Sequence, residues 1–220
     1  MPAIEALDKE TESPAGRGGA FAEDLADIRA AMVERDSATS ANAYHFVTRW
    51  RVRGRREEVA DILNDVSALP RWWPSVYLDV RVLDEGDHAG VGRVVDLWTK
   101  GWLPYTLRWR FTTAARRGAA GLSLRAEGDF RGIGTWTFTQ DGEWVDVEYD
   151  WRITAEKPLL RRLSRPLRPV FEANHRWAMR RGEESLRLEL ERRRAPDAAA
   201  RRRVPTPPPP TFARLTPRPG

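Results

Sequence analysis

Residues 167–190 read LRPVFEANHRWAMRRGEESLRLEL, and this stretch decides the fold. Val170, Phe171, Asn174, Trp177, Ala178, Arg181, Ser185 and Leu188 recur at helical spacing, and Pro169 stands only near the start. The spacing predicts one helix of more than 20 residues over Leu167–Leu190, reaching as far as Arg193. Gly182 in mid-helix costs about 1 kcal/mol against alanine, so a close backbone approach or a bend is expected there. A helix of this length needs a broad partner surface.

The preceding sequence supplies that surface. Tyr44, Phe46, Thr48, Trp50 and Val52 alternate with His45, Val47, Arg49, Arg51 and Arg53, a strand with an aromatic face and a basic face. Short helices follow at Arg55–Asn64 and Ser67–Pro74. Further strands are expected at Val76–Leu83, Val91–Trp98, Tyr105–Thr112, Leu122–Asp129, Gly132–Thr139 and Val145–Ile153. Asp141-Gly142 marks a hairpin tip. Clean alternation argues for antiparallel strands with one covered face. Strands grouped between helices give an α+β class. Gly132-Ile133-Gly134 lacks the third glycine of a dinucleotide fingerprint, and no P-loop occurs.

The chain has 220 residues and no cysteine, which excludes disulfides, zinc–thiolate sites and cysteine nucleophiles. No run of 18 apolar residues exists, so no stable membrane insertion is expected; without a signal-like start, the cytoplasm is the expected location. The net charge of +5 is uneven: −5 over residues 1–43 and +7 over 192–220. The arginines cluster at Arg192–Arg194 and Arg201–Arg203 beside prolines, which argues against nucleic acid as a partner. Residues 1–43 are an N-terminal extension with a short helix at 21–36, where Phe21, Leu25, Ile28 and Met32 share a face. The folded domain is expected at 44–194. Residues 195–220 read as a disordered Arg/Pro-rich tail, inert or a ligand for a proline-recognising protein. Nothing in the sequence fixes the oligomeric state.

The order of elements resembles the START/Bet v 1-like superfamily, also called SRPBCC, of helix-grip folds. Val59–Val66 (VADILNDV) followed by Leu69–Pro74 (LPRWWP) is similar to the early segment of its polyketide cyclase/dehydrase-like branch. Phe171–His175 with Met179–Gly182 resembles bacterial members. The resemblance covers about residues 44–193. It implies a curved antiparallel sheet of about six to seven strands around a long C-terminal helix, with a hydrophobic cavity between them.

Such a cavity would be lined by one strand face and one helix stripe. The candidates are Trp72, Trp73, Trp98, Trp109, Phe111, Trp136, Phe138, Tyr149 and Trp151 from the body, with Phe171, Asn174, Trp177, Ala178 and Arg181 from the helix. Each aromatic alone reads as core packing; ten tryptophans together suit a flat or greasy ligand. Asn174 and Arg181 lie two turns apart on the apolar stripe and are expected to face the sheet. Three readings of Arg181 stand: an ion pair with an inward acid such as Glu127 or Asp96, an exposed position at the edge of the stripe, or orientation of a ligand oxygen. Asp146, Glu148 and Asp150 share the opposite strand face and are expected to pair outward with Arg108, Arg110, Arg125 or Arg152. Three scattered histidines give no metal spacing, and no cofactor motif is present.

The expected function is binding of a small hydrophobic or aromatic, lipid- or polyketide-like molecule. The alternatives are a cyclase, aromatase or dehydratase using His175, Arg181 or Tyr149 on its substrate, and a partner- or membrane-surface role through the tails.

Overall fold

Seven strands form where period-2 alternation places them. They are β1 (Ala43–Arg53), β2 (Tyr77–Asp84), β3 (Val94–Lys100), β4 (Thr106–Arg116), β5 (Gly121–Gly128), β6 (Phe130–Asp141) and β7 (Trp144–Ala155). Helices α1 (Arg56–Asn64) and α2 (Leu69–Trp72) lie between β1 and β2, and α3 (Pro158–Arg194) follows β7. The computed structural model describes residues 42–212. Apart from Asn42 and Ala43, the N-terminal extension and its expected helix at 21–36 lie outside the described residues.

All neighbours in the sheet are antiparallel, in the order β1-β7-β6-β5-β4-β3-β2. The β6–β7 turn is Gly142-Glu143, with Gly142 at φ +57°, a conformation in which glycine carries no Cβ penalty. The concave face carries the apolar half of each strand. Val52, Val95, Val145 and Val147 meet Val59 and Ile62 of α1, Trp72 of α2 and Leu186 of α3 in the buried core. The outer face carries the charges. Asp146 accepts from Arg51, Glu148 from Arg49, and Asp150 from Arg152. Two of these partners sit on β1, because β1 pairs with β7; Arg110 instead holds Asp96.

The final helix is 37 residues long, and Pro166 and Pro169 lie within it. A proline removes one N–H and crowds one carbonyl, which a helix of ten turns absorbs. Its inward stripe is rotated from the expected one. Met179, Gly182, Ser185, Leu186, Glu189 and Leu190 are buried, so the stripe centres on Gly182. Asn174 then lies at its edge and Arg181 beyond it, about 80–100° from the centre at 100° per residue.

Gly182 is where Trp73 of the α2 end approaches. A Cβ there would stand 2.6 Å from Cη2 and 2.7 Å from Cε2 of the indole. Two turns further on, Glu189 is 1% exposed and accepts from Arg71 at 2.8 Å and from Arg192 and Arg193 at 3.0 Å. The three guanidinium groups hold its carboxyl below the usual carboxylate range against the opposing effect of burial. Glu189→Ala is expected to lower stability by about 2 kcal/mol in urea unfolding. That lies under the range for breaking fully buried pairs, because Arg71 can turn to water.

The Arg/Pro-rich stretch, expected as a disordered tail, follows the domain as far as residue 212. Asp197 caps α4 (Ala198–Arg203), its Oδ1 accepting from Ala200 N at 2.7 Å. Val204 is buried, and Arg192 Nη2 donates to Pro205 O at 2.9 Å. Thr211 Oγ1 donates to Gly101 O at 3.1 Å, and Lys100 Nζ donates to Thr211 O. The prolines hold an extended path that needs no strand partner, so side-chain and carbonyl contacts suffice to seat it.

Candidate functional site

The sheet and α3 do not close completely. Between them lies a chamber of about 140 Å³. The first residues of β1 and β4 contribute Tyr44, Phe46, Leu107 and Trp109, Tyr105 stands just before β4, and the last of β7 contribute Tyr149, Trp151, Ile153 and Ala155. Strand alternation alone aims these inward. Trp73, Val76 and Tyr77 form another wall, and Phe171, Asn174, His175, Ala178 and Met179 of α3 form the roof. A smaller cavity of about 60 Å³ adjoins it and shares Trp73, Tyr77, Trp109 and Tyr149 with it.

Gly134 on β6 makes room for two of the aromatic walls. A Cβ there would stand 2.6 Å from Tyr149 Oη and 2.8 Å from Trp151 Cε3. Tyr149 stacks on Trp136 at 4.0 Å and on Trp151 at 5.5 Å between ring centres. Trp109 lies against Trp151 and gives its Nε1–H to Thr99 Oγ1 at 3.0 Å.

Apart from Lys100, whose Nζ donates to Thr211 O, the polar groups in the chamber are neutral hydrogen-bonders. All four tyrosines of the chain line it: Tyr44, Tyr77, Tyr105 and Tyr149. Burial pushes the Tyr77, Tyr105 and Tyr149 phenols up, so they keep their protons. Tyr44 Oη and Trp73 Nε1 are buried without a hydrogen-bond partner. His175 stacks on Phe46 at 4.0 Å, with Nε2 3.5 Å from Thr48 Oγ1. Burial first, and the charge of Arg176 second, lower its pKa to about 4. The imidazole is therefore uncharged at neutral pH. Asn174 Oδ1 accepts from Leu103 N at 3.3 Å, so it ties the β3–β4 loop to the roof.

The sequence candidates divide. Trp73, Trp109, Tyr149, Trp151, Phe171, Asn174, His175 and Ala178 line the chamber, while Phe111 and Trp136 line the smaller cavity. Trp72 and Phe138 are solid core. Trp98 stands on the outer face beneath the Arg108 guanidinium, 4.8 Å from its ring centre, because Val95 and Leu97 take the inward positions of β3. Trp177 is partly buried against the core but lines neither cavity, and Arg181 does not face the sheet. Arg181 pairs with Glu184 at 2.7 Å on the outer side and lies over Trp177, not against Glu127 or Asp96, because the stripe turns about Gly182. The site residues missing from the candidates include Tyr44, Phe46, Tyr77, Tyr105, Phe130 and Met179. Alternation identified the Tyr44 and Tyr105 strand faces, but it does not say which end of the sheet is hollow.

No match was found among curated protein sequences. Among solved structures, the chain is similar to the ZhuI aromatase/cyclase from Streptomyces sp. R1128, at 20% identity and a TM-score of 0.54, over 71% of this chain and 98% of that one. It is also similar to the di-domain aromatase/cyclase StfQ of the steffimycin biosynthetic pathway, at 18% identity and a TM-score of 0.55, over 86% of this chain and 63% of that one. A third likeness is TTHA0849 from Thermus thermophilus, at 21% identity and a TM-score of 0.51, over 68% of this chain and 96% of that one. These likenesses establish a common fold. The family model for polyketide cyclase/dehydrase and lipid transport proteins matches residues 44–191, the same span that builds the sheet, the chamber and most of α3, and the chain belongs to that family.

Proposed function

We propose that the protein binds a small, uncharged, hydrophobic or aromatic molecule that carries at least one hydrogen-bond-accepting oxygen. The observation that carries this reading is the pair of buried, unpartnered donors on the chamber wall, Tyr44 Oη and Trp73 Nε1, set among stacked aromatic rings. A cavity of this order holds about one aromatic ring. Apolar area buried there contributes about 25 cal/mol per Å². The unpartnered donors favour a carbonyl oxygen over the same molecule without one. Among the described residues no helix is long and apolar enough to cross a membrane.

The test uses acetophenone and isopropylbenzene, near-isosteres with and without a carbonyl, in equilibrium binding to the full chain. The protein is expected to prefer the carbonyl compound. Tyr44→Phe is expected to lower that preference about three- to tenfold with an unchanged unfolding midpoint, because the lost hydroxyl had no protein partner. Equal affinities in the native protein would remove the reading. A catalytic use of the chamber, cyclisation or dehydration, has one feature in its favour: His175, a side chain of the type that moves protons in acid–base catalysis, lines it. Turnover of a poly-β-keto mimic, lost in His175→Phe, would select it.

A further inference from the structure

The smaller cavity ends on two arginines. β4 and β5 fall out of register between Thr113 and Ala115. Up to that point Leu107, Trp109, Phe111 and Thr113 face the concave side; the irregularity then passes the inward role to Arg116, which stands opposite Leu122. A bulge is a known means of re-aiming a side chain. Just before the neighbouring strand β3, Arg93 lies in phase with the inward Val95 and Leu97, and its carbonyl accepts from Thr113 N at 2.9 Å. Both side chains line the smaller cavity. They meet beneath Gly90, where a Cβ would stand 2.9 Å from Arg116 Nη1 and 3.6 Å from Arg93 Nη2.

These cations are incompletely neutralised. Arg93 Nη2 pairs with Glu85 at 3.1 Å, but Glu85 is 73% exposed. Arg93 Nη1 donates to Asn64 O at 3.2 Å, and its Nε is buried without a partner. Arg116 Nη1 donates to Ala89 O at 2.7 Å, and among the described residues no carboxylate lies within ion-pair distance of it. Asp87 attracts it from farther away, while its own Oδ1 accepts from Ala89 N and Val91 N. Burial and the Arg93 charge both lower the Arg116 pKa. Two like charges converge at the end of a pocket otherwise walled by Leu97, Phe111, Leu122 and Leu124.

We propose that Arg93 and Arg116 form an anion-binding pole that takes the carboxylate or phosphate head of a ligand whose apolar chain enters the smaller cavity. Forked guanidinium donors suit either oxyanion. The pole rests on the reading that the interior admits apolar molecules, and it adds anion selectivity to that reading.

The full-length protein is loaded with acetophenone as a one-ring probe, its bound fraction read by saturation-transfer NMR, and titrated with hexanol, hexanoate and hexyl phosphate. At least one anion is expected to displace the probe at about tenfold lower concentration than hexanol. The tighter anion identifies the head group, carboxylate or phosphate ester. Arg116→Met is expected to bring that anion to the level of hexanol, with hexanol itself unchanged, and Arg116→Lys to retain most of the preference. Equal displacement by all three in the native protein overturns the pole and leaves the chamber reading intact. So does a preference that survives both Arg116→Met and Arg93→Met. Failure of the probe and all three competitors to bind overturns the chamber reading as well.

Discussion

Gly182→Ala is expected to destabilise the protein by about 3 kcal/mol, although alanine is the better helix former by about 1 kcal/mol. The position faces the Trp73 ring, and an added Cβ would meet three of its atoms closer than any real side chain allows. Trp73 is 2% exposed and is itself wedged against Trp50, Trp72 and Tyr77, so the indole can yield only toward the two cavities it walls. Either α3 lifts from the sheet or Trp73 is driven into the chamber it walls. The measurement is urea unfolding of the two single variants Gly182→Ala and Trp73→Phe and of their combination. The double variant is expected to lose at least about 1 kcal/mol less than the sum of the singles, since the smaller ring vacates the space the methyl needs. A Gly182→Ala protein more stable than the native one would show that the helix does not approach Trp73 this closely.

The strands and the final helix were legible in the sequence because period 2 and period 3.6 are local properties of a chain. The hollow was legible in kind but not in place. Trp109, Tyr149 and Trp151 sit on strand faces whose alternation is clean, and they line the chamber. Trp98 was misleading: a tryptophan reads as core, yet its strand has the opposite phase, and Arg108 covers the ring from the outer side. The pair Asn174 and Arg181 illustrates the limit of a helical wheel. Two residues seven apart stay within about 20° of each other, but the wheel does not tell which side of that line the sheet occupies. Gly182 carried that information, since a glycine in mid-helix marks the contact line. Arg116 had no signal at all, because its inward aim depends on a change of register that only pairing with β5 creates. The same holds for the tail: composition reports that Pro205–Pro210 cannot join a ladder, not that Lys100 and Gly101 seat the residue that follows.

Acid is expected to weaken the fold first through His175. Its folded-state pKa lies near 4, against 6.5 for the free side chain, because burial disfavours the imidazolium and Arg176 repels it. As the pH falls through 6.5, the unfolded chain takes up a proton that the folded chain refuses. Stability therefore declines from about pH 6.5 to about pH 4, by about 3 kcal/mol in total, and this contribution levels off below that. The carboxylates act in the same direction at lower pH. Glu58, hydrogen-bonded by Arg194, has its pKa lowered to about 2, and Glu189 is lowered too, so both begin to lose their contribution only as the pH drops through the ordinary carboxylate range. The two windows separate the causes. Urea midpoints of the native protein are expected to fall steadily between neutral pH and pH 5, while those of His175→Phe, whose ring can keep the stack on Phe46, stay nearly level over that interval. Equal slopes for the two proteins would mean that the imidazole is free to ionise in the folded state, and with it would go the account of His175 as an uncharged group of the chamber wall.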